Sequence, residues 1–95
     1  MNVHRIKSYS ERYKLLSEGI MTGENRKNDR CYQVGDVVVQ VEMVAENDTG
    51  LLGVPVRRPS GREINMKISC IDTFGCKKGD VNLSYSNVGL ILVKD

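Results

Sequence analysis

The spacing of apolar residues changes from a helical period to an alternating one along this chain. Tyr9, Tyr13, Leu16 and Ile20 recur at steps of four and three, which puts them on one stripe of a helix. Ser8-Tyr9-Ser10-Glu11 reads as a capping box, with Ser8 as N-cap and Glu11 reaching back to its amide. Gly19 supplies the left-handed residue that ends the element, so the pattern predicts a helix over about 9–18. Downstream, the β-branched run Val37–Ala45 lies between Gly35-Asp36 and Glu46–Gly50 and predicts a strand. Leu51–Arg58 reads as a second strand, with Pro55 at an edge or bulge because it has no N–H to donate. Pro59-Ser60-Gly61-Arg62 has turn chemistry. Ile64, Met66, Ile68 and Cys70 then alternate with Asn65, Lys67 and Ser69, as in a half-buried strand. An irregular stretch over Asp72–Asp80 precedes a final apolar strand at Val88–Val93, and His4–Lys7 reads as a first strand. Short strands with one helix near the start predict an α+β fold: a small barrel or strongly curled mixed sheet with a helix against it.

The chain has 95 residues, 40% of them apolar and 27% charged. That supports one domain over 1–95, of soluble globular character. No apolar run approaches the roughly 18–20 residues that span a bilayer. The basic residues of the N-terminus are followed by no apolar stretch, which argues against a signal peptide and makes the cytoplasm the expected compartment. The net charge of +2 is unevenly spread. Residues 1–30 and 57–67 each carry a net +3, and residues 31–56 carry four acidic side chains and no basic one. If the two basic segments converge they form a modest positive site; otherwise they are solvated faces.

Several chemistries are disfavoured. The one histidine, His4, and three cysteines without paired-ligand spacing give no zinc signature, and no carboxylate cluster suggests calcium or magnesium. Neither a metal nor a cofactor is expected. Four tyrosines, one phenylalanine and no tryptophan make a broad base-stacking platform unlikely. No Ser-His-Asp arrangement, phosphate-cradling glycine loop or hydrolytic carboxylate pair is apparent.

Gly19-Ile20-Met21-Thr22-Gly23-Glu24-Asn25-Arg26 resembles the GxKxxExR signature of ASCH (activating signal cointegrator homology) domains, of the PUA-like superfamily. Arg26-Lys27-Asn28-Asp29-Arg30, then Tyr32 and Val34-Gly35-Asp36, is similar to a bacterial and phage branch of that group, as are His4–Lys7, Ser60-Gly61-Arg62 and Val88–Val93. The likeness covers most of the chain and is dense over 19–37. It implies a PUA-like β-barrel with helices at its side, and a cleft for RNA, nucleotide or modified base beside the signature. Some small ASCH proteins are amidohydrolases that deacylate modified cytidines and need the signature lysine. Here that position is Met21, whose thioether is neither base nor nucleophile.

The reading is therefore a binding module without catalysis. Lys7, Glu24, Arg26, Asn28, Arg30 and Arg62 are its candidate ligand contacts. Glu24 and Arg26, two apart, share a face if 22–26 is a strand, and either pair with each other or contact a base and a phosphate. Asn28 offers donor and acceptor together. Val34-Gly35-Asp36 reads as structural, a sharp strand entry followed by an amide-capping carboxylate. Met21 either fills the core or floors a site for a flat ligand. Two alternatives stay open: a nucleoside amidohydrolase-like enzyme with an altered site, and a phage or mobile-element accessory protein that binds a host protein.

Overall fold

Alternation decides which side chains of the first strand enter the core. In β1 (Val3–Tyr9), His4, Ile6 and Ser8 are buried and the odd-numbered residues face outward. The strand runs directly into α1 (Ser10–Ser17), which is followed by β2 (Gly23–Lys27), β3 (Val37–Thr49), β4 (Pro55–Asp72) and β5 (Asp80–Asn87). This is a computed structural model, and it describes residues 1–49 and 55–87. The five strands form one sheet in the order β1-β3-β4-β5-β2, with β1 parallel to β3 and every other neighbouring pair antiparallel. The result is a small mixed sheet with one short helix. Among the described residues β1 and β2 do not pair, so the sheet is open.

The sheet nevertheless curls. β2 and β3 lie three steps apart in the strand order, about 14 Å in a flat sheet at the usual spacing. Yet Gln40 of β3 donates to Glu24 of β2 at 2.7 Å, so the two strands' inner faces turn toward each other. Inside the curve sit Ile6, Tyr13, Leu16, Tyr32, Val38, Ile64, Met66, Ile68, Val81, Leu83 and Tyr85, with Met21 and Ile71 packed against them. No helix among the described residues is long and apolar enough to cross a membrane.

Several local expectations change. The helix starts at Ser10, and Ser8 is not its cap: Ser8 remains in β1, where its hydroxyl donates to Gln40 inside the core. No side chain caps the N-terminus. The C-terminus ends as expected. Gly19, at φ +73°, sends its amide to the Leu16 carbonyl, and Ile20 sends its own to Leu15, the paired bonds of a Schellman motif. Of the apolar stripe only Tyr13 and Leu16 are buried; Tyr9 lies outside in β1 with the Arg57 guanidinium over its ring, and Ile20 is exposed.

Pro59–Arg62 is not a turn between strands. β4 continues through it, and three residues, Ser60 to Arg62, oppose Glu42 alone, with Gly61 at φ +94°. A second bulge between Ile68 and Cys70 shifts the alternation, so Cys70 is exposed and Ile71 turns toward the core. The strand at Asp80–Asn87 was not anticipated, although Val81, Leu83 and Tyr85 alternate inward there. The expected strand at Val88–Val93 and the start of that at Leu51–Arg58 lie outside the described residues.

Candidate functional site

Glu24 is the centre of a buried polar hub. β2 directs it inward, and its side chain is 0% exposed. Such a carboxylate must be paired and hydrogen-bonded, and three donors meet it. Gln40 Nε2 donates to Oε2 at 2.7 Å, the Tyr85 hydroxyl donates to Oε2 at 2.8 Å, and Arg26 Nη1 donates to Oε1 at 2.9 Å. Ser8 joins through Gln40. Arg12 of α1 also reaches toward Oε1, at 3.7 Å, crossing from the β1 side of the open sheet to β2. Burial is the largest single influence on Arg26 and lowers its pKa, but the hydrogen bond to Glu24, the Glu24 charge and the nearby Tyr32 and Tyr85 together outweigh it and raise the value. Burial, and then the Glu24 charge, push Tyr85 far above the usual tyrosine range, so it stays a neutral donor.

Behind this hub lies a cavity of about 320 Å³ between the end of α1, the 19–22 segment, β4 and β5. Leu16, Met21, Ile64, Met66 and the Tyr85 ring give it apolar walls, and Ser17, Thr22, Asn65 and Ser86 supply neutral polar groups. Glu18 is the one formally charged residue of the lining. Two further cavities flank α1. One, of about 460 Å³, is bordered by Tyr13, Glu42 and Arg62 among others, and one of about 330 Å³ by Lys7, Ser8, Tyr9, Glu11 and Arg12.

The structure brings Glu24 and Arg26 together, as an ion pair on one strand face. It does not gather the other candidates around them. Asn28 and Arg30 are exposed in the loop after β2, where the Asn28 amide is bonded to the Gly79 carbonyl. Lys7 faces outward from β1. Arg62 forks onto Glu42, at 2.9 Å through Nε and 2.8 Å through Nη2, and Ser60 adds a third bond to that buried carboxylate at 2.6 Å. Its guanidinium also lies over the Tyr13 ring.

The Val34-Gly35-Asp36 turn acts as its sequence suggests. Gly35 has φ +96°, and Asp36 accepts from the amides of Asn2 and Gln33, each at 3.1 Å. His4 Nε2 lies 2.8 Å from Asp36 Oδ2, and these bonds, that to His4 foremost, hold the carboxyl below its ordinary range. The His4 ring rests against Tyr32, centroids 4.7 Å apart. The Tyr32 hydroxyl is buried, and among the described residues it makes no hydrogen bond of good geometry; Arg26 is near enough to offset part of the rise that burial gives the tyrosine's pKa.

Sequence reasoning missed Arg12, Gln40, Tyr32 and Tyr85. Gln40 was findable: it and Glu42 are polar residues at alternate positions of an otherwise β-branched run, and polar groups buried in a strand need partners. Arg12 lies off the apolar stripe of the helix, and nothing in its neighbours marks it. Among the described residues no group of three or more His, Cys, Asp or Glu side chains is placed to hold a metal ion.

A search of curated proteins gives no match. Residues 3–85 match the family model described as a domain of unknown function, DUF3850, and the chain belongs to that family.

Proposed function

We propose that this domain is a binding module for a nucleotide or modified base, free or within RNA, built on a PUA-like barrel of the ASCH kind whose β1–β2 side is open. The observation that carries the reading is the cavity beside the 19–26 segment. Its Met21, Met66 and Tyr85 surfaces suit the faces of a flat heterocycle, and Asn65, Thr22 and Ser86 offer donors and acceptors to its edge. Met21 also favours binding over hydrolysis. It brings no ionisable group to the cavity, and Tyr85 is held protonated.

The test is a titration of the methyl-labelled protein with the four common ribonucleosides, an N-acylated cytidine and a short single-stranded RNA. Saturable shifts of the Met21 and Met66 methyl signals by at least one of these, with the acylated compound recovered intact, are the expected result. Unmoved methyl signals throughout would remove the reading.

A further inference from the structure

On the far side of Tyr85 from the base cavity, Arg12 and Arg26 both approach one oxygen of Glu24. Glu24 does not require both. Its three hydrogen bonds come from Gln40, Tyr85 and Arg26, whereas Arg12 stands off at 3.7 Å, beyond bonding distance, with its side chain 48% exposed. Two guanidinium groups around one carboxylate leave a surplus positive charge, and it sits where β1 and β2 fail to pair. A third observation is independent of the charges. The hydroxyl of Tyr32, a residue only 7% exposed, has no well-formed hydrogen bond among the described residues, while Arg26 and Arg30 are near enough for their charges to act on it. A buried hydroxyl without a partner costs free energy, and a bound acceptor would recover it.

We propose that Arg12, Arg26 and the Tyr32 hydroxyl form a subsite for a phosphate monoester. Guanidinium forks match phosphate oxygens in shape and charge, and among the described residues Arg12 has only the long 3.7 Å ion pair to Glu24. Arg12 itself borders the cavity of about 330 Å³ beside Lys7 and Glu11, and it lies one helical turn before Leu16, a wall of the base cavity. The nucleotide form of the proposal rests on the preceding reading: the base enters the cavity and its phosphate meets the arginines. The phosphate subsite itself does not depend on the base.

The experiment compares nucleosides, their monophosphates and inorganic phosphate as probes, by calorimetry and by the arginine Nε–H signals. It uses the wild type, Arg12→Gln and Tyr32→Phe. Arg12→Gln alters a half-exposed helix residue, and its thermal unfolding serves as the control for folding. For the nucleoside that binds, the monophosphate should bind roughly tenfold or more tightly in wild type, as expected for a few charge-assisted hydrogen bonds. The advantage should vanish in Arg12→Gln, shrink in Tyr32→Phe and fall with added salt, while nucleoside affinity stays the same. Equal affinity of nucleoside and monophosphate in wild type overturns the subsite and leaves the base reading standing. If no nucleoside binds, the base reading falls, and the subsite is judged by inorganic phosphate: saturable Arg12 and Arg26 shifts, lost in Arg12→Gln, support it, and their absence overturns it.

Discussion

Replacing Glu24 by leucine tests whether the polar hub holds the curled sheet together. The substitution removes a fully buried carboxylate and the acceptor of three hydrogen bonds. The losses are unequal. Arg26 is 25% exposed and can turn to water, and Gln40 keeps a 3.3 Å bond to the Tyr85 oxygen. The Tyr85 hydroxyl proton and one Gln40 N–H are stranded, each at about 1–3 kcal/mol. Leucine returns part of this by burying apolar surface, and the two arginines lose the charge that kept them together. The net expectation is a destabilisation of about 3 kcal/mol, consistent with breaking a buried ion pair from one side. For a chain of 95 residues total stability is of order 5–14 kcal/mol, so the midpoint should fall by roughly 10–25 °C. Glu24→Gln keeps the shape and one carbonyl acceptor, and should lose about half as much. Urea unfolding followed by circular dichroism and tyrosine fluorescence measures both. A Glu24→Leu protein within about 0.5 kcal/mol of wild type would refute a cohesive hub, since that is the range of ordinary surface substitutions.

The Asp36 clamp and the β2 edge give two more tests. The Asp36 carboxyl titrates below its ordinary value of 3.8 in the folded protein because His4 and the Asn2 and Gln33 amides bind its charged form. Its stabilisation is therefore complete above the unfolded value and lost as pH falls through the folded one. Asp36→Asn should be less stable than wild type at neutral pH, and the gap should close only as pH drops below about 4; a gap that stays constant down to pH 2 contradicts the assignment. At Gly23 a Cβ would meet the Leu83 carbonyl oxygen of β5. Gly23→Ala should thus displace β2 from β5, costing about 1–3 kcal/mol and raising amide exchange at Glu24 and Arg26, whose N–H groups face β5, whereas unchanged exchange there would mean the edge accommodates the methyl.

The sequence revealed elements and hid how they meet. Gly19 was legible because only a left-handed residue closes that helix end, and Gly35-Asp36 because its chemistry is local. Ser8 was misread because Ser-x-x-Glu scores the same whether the serine caps a helix or sits inside a strand; the Gln40 amide, 32 residues away, decides it. The bulges at Ser60–Arg62 and after Ile68 are likewise set by the partner strand. Gly61 announced a left-handed residue but not whether β4 stopped or continued there. Within the candidate site, the Glu24–Arg26 pair followed from a spacing of two. The donors on β3, β5 and α1 could not, because the pattern of strands predicts a curled sheet without saying which inner faces the curl brings together.

This division bears on what the site can recognise. A carboxylate has about four acceptor positions, and three interior donors with Arg12 nearby nearly exhaust those of Glu24. Glu24 thus fixes Arg26 and Tyr85, and the groups left for a ligand are the cavity lining, neutral apart from Glu18, and the cation of Arg12. Of the other basic candidates, Arg62 is committed to Glu42, whereas Lys7 borders the same cavity as Arg12, and Arg30, in the loop after β2, acts on Tyr32 through its charge. Proteins that track a nucleic-acid backbone neutralise on the order of 6–10 phosphates and lose affinity steeply with salt. Among the described residues the groups around Glu24 can meet about one phosphate. If the proposed reading holds, its ligand is therefore one nucleotide held by its base and a single phosphate rather than a length of RNA held along its backbone.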